Sequence, residues 1–87
     1  MESRITATVW TVTTDIQNVG NETRAYGDRK SALLAVAQFC HDNWDQDIYG
    51  DLDGMLPMDA VQTLRNFDCP NLLWLDKHDV SIPVYTP

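Results

Sequence analysis

The stretch Asp28-Arg29-Lys30-Ser31-Ala32-Leu33-Leu34-Ala35-Val36-Ala37-Gln38-Phe39-Cys40-His41-Asp42-Asn43-Trp44 decides the fold, because it is a helix with strand-forming sequence on both sides. Gly27 and Asp28 open it. The Asp28 carboxylate can accept the unpartnered amide hydrogens of the first turn, and its charge suits the positive end of the helix dipole. Leu33, Val36, Ala37, Cys40 and Trp44 recur at helical spacing and make an apolar stripe. Ala32, Leu34, Ala35 and Phe39 broaden that stripe, which predicts a well-covered helix lying across a sheet. Gln38, His41, Asp42 and Asp45 fall on its wetter side, and the helix is expected to end by about Gln46.

Upstream, residues 4–14 are dense in Thr, Val, Ile and Trp, whose branched or aromatic side chains favour extended backbone. Ile5, Ala7 and Val9 share one face of this strand, and Thr8, Trp10 and Val12 share the other. Which face is core stays open. Residues 15–21 contain Asn18-Val19-Gly20-Asn21, suited to a turn. Residues 22–26 then read as a second strand, hairpin-paired with the first, in a register that the loop length leaves undetermined.

Downstream, residues 47–56 contain Gly50 and Gly54 and read as a loop. Pro57 suits the first turn of a short second helix, where its missing amide hydrogen costs nothing. Ala60, Val61, Leu64 and Phe67 give that helix an inward stripe, and Cys69-Pro70-Asn71 breaks it. Residues 72–84 are extended, either as one strand or as two joined at 76–79; one bent or bulged strand is the preferred reading. The expectation is a single α+β domain over residues 1–87. It is a small two-layer ββααβ sandwich, with an antiparallel sheet packed against one main and one short helix.

Charge is the chain's strongest compositional signal. Between Ser31 and Leu64 stand Asp42, Asp45, Asp47, Asp51, Asp53 and Asp59, with no lysine or arginine among them. Over 87 residues, 13 acids against 6 bases leave a net charge of −7. Clustered like charges store electrostatic free energy that a basic surface, a metal ion or salt relieves. The six basic residues are scattered, so direct binding to nucleic acid is not expected, since tracking phosphates needs clustered cations. No apolar run approaches the roughly 20 residues that span a bilayer. The first residues lack the basic-then-apolar pattern of a secretory leader, so a cytoplasmic location and no membrane partner are expected. Cys40 and Cys69 then read as buried thiols.

Specific chemistry finds little support. Asp45, Asp47 and Gly50 match the first, third and sixth positions of a calcium-binding loop, but Tyr49 and Leu56 stand where two oxygen ligands belong. Cys40, His41, Cys69 and His78 are zinc-type donors without ligand spacing, and Cys40 lies on the apolar stripe. His41 beside Asp42, and His78 beside Asp79, are sequence neighbours only. Phosphate-binding loops, nucleophile elbows and dinucleotide fingerprints are missing. The expectation is a non-enzyme with no catalytic residue, cofactor or metal. Trp10, Trp44 and Trp74 read first as core. Trp44, next to the acidic loop, also suits the apolar anchor of a charged contact.

The short hairpin, a helix ending in Asn43-Trp44-Asp45, the aspartate-rich loop and a closing strand with Val80-Ser81-Ile82-Pro83 together resemble the small acidic proteins of phages and other mobile elements. Among these are the anti-CRISPR and anti-restriction inhibitors, which place carboxylates where target enzymes expect nucleic-acid phosphates. The resemblance covers the size and the order of elements. It implies a protein-binding inhibitor or modulator, a nucleic-acid mimic acting on a phage-defence nuclease complex. Asp42, Trp44, Asp45, Asp47, Asp51, Asp53 and Asp59 would form the interaction surface, and the partner would be a basic or nucleic-acid-binding protein. The alternatives are a structural module that homodimerises through an open sheet edge, and a small enzyme with a carboxylate or histidine site.

Overall fold

In the computed structural model, which describes residues 2–85, the strand-forming N-terminal segment is longer than its composition suggests. β1 runs Glu2–Ile16, β2 Gly20–Tyr26, α1 Arg29–Asp42, α2 Gln46–Tyr49, α3 Pro57–Asn66 and β3 Leu72–Tyr85. The sheet order is β2-β1-β3, antiparallel throughout. The α+β class and the antiparallel sheet packed against helices are as the sequence predicts.

β1 and β2 join through a three-residue turn in which Val19 N–H donates to Ile16 C=O at 3.0 Å. Asn18 takes a left-handed φ of 66° there, which asparagine tolerates better than most residues. β3 is one strand. Its partners on β1 step one for one from Glu2↔Tyr85 to Asp15↔Leu72, so the expected bulge is not present. Pro83 is accommodated because β3 is an edge strand.

The register fixes the faces. Val12 lies opposite Leu75 and Thr14 opposite Leu73, and the buried Val12 and Leu73 put this face beneath the helices. The core comprises Val12 and Leu73 from the sheet, Ala32, Val36 and Cys40 from α1, and Ala60, Val61, Leu64 and Cys69 from α3 and its exit. On α1 the buried residues sit four apart, which rotates the stripe from the predicted one. Leu34 is left 63% exposed instead of broadening the stripe. Phe67 is likewise 55% exposed, because α3 ends at Asn66 and Phe67 is already its C-cap.

Local chemistry sets the helix ends. Ser31 N–H donates to Asp28 Oδ1 at 2.7 Å, as the sequence predicts. Leu56 caps α3 without a side-chain bond, and Pro57 begins it. At its C-terminus, Asp68 N–H donates to Arg65 C=O at 3.1 Å and Cys69 N–H to Leu64 C=O at 3.0 Å. This is a Schellman closure, with aspartate at the left-handed position (φ 54°) that glycine usually fills.

β2 pairs with β1 only from Trp10 to Ile16. Beyond that point residues 2–9 and 78–85 pair with each other alone, as a two-stranded arm. The molecule is accordingly long, with extents of 60 × 30 × 17 Å.

Two stability changes follow. Leu73, 1% exposed, should lose about 2–5 kcal/mol on truncation to alanine, the range for a buried leucine. Asp68→Gly removes the left-handed strain and should gain about 0.5–1 kcal/mol. Urea denaturation of each variant against the parent measures both.

Candidate functional site

The aspartate-rich segment gathers at one end of the molecule because α1 delivers it there. Asn43, the C-cap of α1, donates from Nδ2 to Phe39 C=O at 2.8 Å. Asn71 Nδ2 donates to Asn43 Oδ1 at 2.6 Å, and Gln17 N–H donates to Asn71 Oδ1 at 2.9 Å. These amides tie the helix end to the β1–β2 turn and to the start of β3. The acidic segment therefore lies at the hairpin end of the sheet, away from the arm.

Residues 47–56 are not simply a loop. Asp45 caps a single helical turn, accepting from Asp47 N–H at 3.0 Å, so α2 begins where an irregular backbone was expected. The Trp44 indole Nε1–H donates to Gly50 C=O at 2.9 Å across this turn. Its ring lies 5.1 Å from that of Tyr49, which meets Phe67 edge-on at 5.6 Å. Asp51 Oδ1 then accepts from Asp53 N–H at 3.0 Å, a turn that Asp commonly closes. Gly50 and Gly54 take positive φ of 88° and 80°, which the reversals there require.

The predicted interaction residues divide. Trp44, Asp51 and Asp53 line one polar depression of about 380 Å³ with His41, Gln46 and Leu52, and Asp45 and Asp47 are exposed at the start of the adjoining turn. Asp42 lines another concavity, a groove of about 260 Å³ between α1 and the β2 side of the sheet. There it accepts from Gln38 Nε2 at 2.8 Å. Asp59 belongs to the first turn of α3, where the helix dipole favours a carboxylate. Of the tryptophans, Trp10 and Trp44 are half-buried against the core. Trp74 is 39% exposed, because its strand position faces away from the helices.

His41 Nδ1 lies 3.6 Å from Asp42 Oδ1 with both side chains exposed, a contact too long for a hydrogen bond. His78 and Asp79 bond to separate threonines: His78 Nε2 lies 3.0 Å from Thr11 Oγ1, and Asp79 Oδ1 accepts from Thr8 Oγ1 at 3.0 Å. In the groove, Arg24 Nε donates to Glu22 Oε1 at 2.6 Å, which raises the guanidinium's proton affinity. Among the described residues, no three His, Cys, Asp or Glu side chains converge to hold a metal ion, and no helix is long and apolar enough to cross a membrane.

The most perturbed group is beneath the surface. Burial, assisted by the neighbouring Cys69, pushes the Cys40 thiol up to about 11. Cys69 is also a buried free thiol. Burial raises Tyr49 as well, with Cys69 again contributing. Sequence reading missed this linkage of Tyr49 to Cys69 and Phe67. Only the aromatic recurrence at 44, 49 and 67 hinted at it.

Compared with known proteins, the chain matches no family model, and neither curated sequences nor solved structures give a significant match.

The thiol generates a pH prediction. Its ordinary value is 9.0 and its folded value about 11, so the folded state holds the proton where the unfolded state has lost it. The stabilising contribution is complete below pH 9 and is lost as pH rises through about 11. Urea midpoints measured upward from pH 8 should fall, and fall less steeply in Cys40→Ala.

Proposed function

We propose that the protein is a non-catalytic binding module whose aspartate-rich end docks on a basic protein surface. The surface meant is one that a nucleic-acid-binding protein uses to hold phosphates. One observation carries the reading: the exposed Asp45, Asp47, Asp51 and Asp53 stand on a backbone braced within its own short span. Asp45 caps α2, the Trp44 indole ties to Gly50, and Asp51 closes the turn at Asp53. Bracing fixes the spacing of the charges before a partner arrives, which lowers the entropy lost on binding.

The electrostatics favour the same reading. The segment holds no lysine or arginine to neutralise it, and Asp45 follows the negative end of α1, where a carboxylate is locally unfavourable. A basic partner relieves both terms and is steered to this end. Inhibition of a cytoplasmic nucleic-acid-processing enzyme, such as a phage-defence nuclease complex, is the biological role that fits such a surface. Trp44, half-buried at the rim of the polar depression, supplies an aromatic anchor beside the charges. Asp42 and Asp59 lie outside this surface and are not assigned to it.

Recovery of a partner from an extract of the source organism, followed by calorimetry, tests the proposal. Replacing Asp45, Asp47, Asp51 and Asp53 together by asparagine should weaken the complex by about fivefold to several hundredfold. At a few tenths to 1 kcal/mol for each exposed charge, the four sum to about 1–4 kcal/mol. The parent complex should weaken as salt rises, and the variant much less. A partner held with the same affinity and the same salt dependence by both proteins would refute the assignment.

A further inference from the structure

We propose that the two-stranded arm, residues 2–9 and 78–85, is a dimerisation element that packs face to face with the arm of a second copy of this chain. Two strands alone are at best marginally stable in water, and a ribbon of this kind normally requires a further strand or a packed layer. Here β2 stops opposite Trp10, and the sheet members of the core cluster, Val12 and Leu73 with the partly buried Trp10, Tyr26 and Leu75, all lie outside the arm. Among the described residues, none forms a second layer over the arm.

Its two faces differ. On the face that continues the helix-covered side stand Thr6, Thr8, Asp79 and Ser81, with the Thr8 hydroxyl donating to Asp79 at 3.0 Å. On the other, Ile5 lies opposite Ile82 and Ala7 opposite Val80, flanked by Val9 and Val84. Ile5 is 54%, Val80 41% and Ile82 40% exposed. Isolated exposed apolar residues are ordinary, but a contiguous set with a polar opposite face marks an interaction surface.

Three features select a second copy as the occupant. The first is shape: the face is a strip roughly 27 Å long and about 10 Å wide. An identical strip matches it in length and width and covers it in aligned sheet packing at about 10 Å separation. The second is symmetry, because a two-fold arrangement satisfies both copies with a single surface and leaves no residual patch. The third is charge. The chain carries −7, yet the arm holds only Glu2, Arg4 and Asp79 besides His78. The aspartate-rich end lies at the opposite end of a molecule 60 Å long. Antiparallel arms keep the two acidic ends far beyond the ~8 Å over which charges interact at physiological salt. Contact anywhere near the acidic end would set them against each other.

The strip's plan area is roughly 270 Å² per copy, well short of the ~800 Å² per partner of a standard stable interface. The dimer is therefore weak and concentration-dependent, dissociating in the micromolar range.

Sedimentation velocity from about 1 to about 500 µM, the span in which such an association is visible, tests the proposal. The parent should pass from monomer to dimer. Ile5→Asp and Ile82→Asp should each weaken association at least tenfold. Because this pair lies beyond the core, their urea midpoints should stay close to that of the parent. The double Ile5→Thr, Ile82→Thr variant keeps strand propensity and gives the same answer should an aspartate unfold the arm. Val19→Asp, at the exposed hairpin turn, should leave the dimer intact. Association should also change little with salt, since the contact is apolar and the acidic ends lie beyond screening range of each other. A parent that stays monomeric throughout, a dimer indifferent to the substitutions at Ile5 and Ile82, or one that weakens with salt would each overturn the proposal. A monomer that floats with phosphatidylcholine vesicles would assign the strip to a bilayer and overturn it equally.

Discussion

The ladder between β1 and β3 is the constraint on which the rest of the structure depends. It joins the two ends of the chain, runs without a slip from Glu2↔Tyr85 to Asp15↔Leu72, and decides which side chains face the helices. A one-residue shift would turn every side chain of one strand to the opposite face. Val12 or Leu73 would then leave the core, and there is little else in the sheet to replace them. The two strands are separated in sequence by β2 and all the helices, so closing this ladder requires a long loop to be formed before its contacts stabilise anything. The hairpin of β1 and β2 and the turns of α1 and α3 are local by comparison. They can form without it but have no common surface on which to pack.

The same ladder sets the polarity of the molecule. Its hairpin end is wide, with three strands, the helices and an amide chain through Gln17, Asn71, Asn43 and Phe39 that holds the acidic segment in place. Its other end is two strands. Leu73 and Val12 lie in the wide part, and Ile5 and Ile82, with the same strand chemistry, lie in the narrow part and stay exposed. Burial in this chain is decided by the face of the sheet and the position along the ladder rather than by residue type, since Ile5, Ile82 and Trp74 all face away from the helices.

That is also why the sequence was legible in some places and opaque in others. Asp28 and Pro57 act within one turn of the chain, so their capping and helix-starting roles can be read without tertiary knowledge. Strand character in β1 and β3 follows from Thr, Val, Ile and Trp. Leu34 and Phe67 misled because helical spacing identifies apolar residues, whereas the angle at which α1 lies on the sheet and the point where α3 stops decide which of them are covered. The one-turn α2 was hidden because four residues carry no periodicity, and its only signal was Asp45 in a capping position. The candidate site was legible as a charge cluster. Its division was not, since Asp42 on the last turn of α1 and Asp59 on the first turn of α3 are turned toward different surroundings by their helices. The alternation of Ile5, Ala7 and Val9 was equally visible in the sequence. What could not be read was that no element among the described residues covers it, because that follows from the helices packing on the opposite face of the sheet.

Acidic end and apolar arm place different demands on the solvent, and the length of the molecule lets one chain meet both. Salt weakens attraction between the carboxylates and a basic surface, yet leaves an apolar contact between distant arms largely unchanged. Were the two features adjacent, a partner on the charges would crowd the arm, and a second copy would bring acid against acid. Separated along the ladder, they act through different physical terms on different surfaces. Residues this far apart with no shared neighbours contribute additively. In the proposed dimer the paired arms would direct two braced acidic ends away from each other. Engagement of one by the proposed basic partner would leave the other free for a second basic site at raised effective concentration, wherever the target's spacing matches. Affinity would then depend on the distance that the paired arms impose as well as on the number of aspartates.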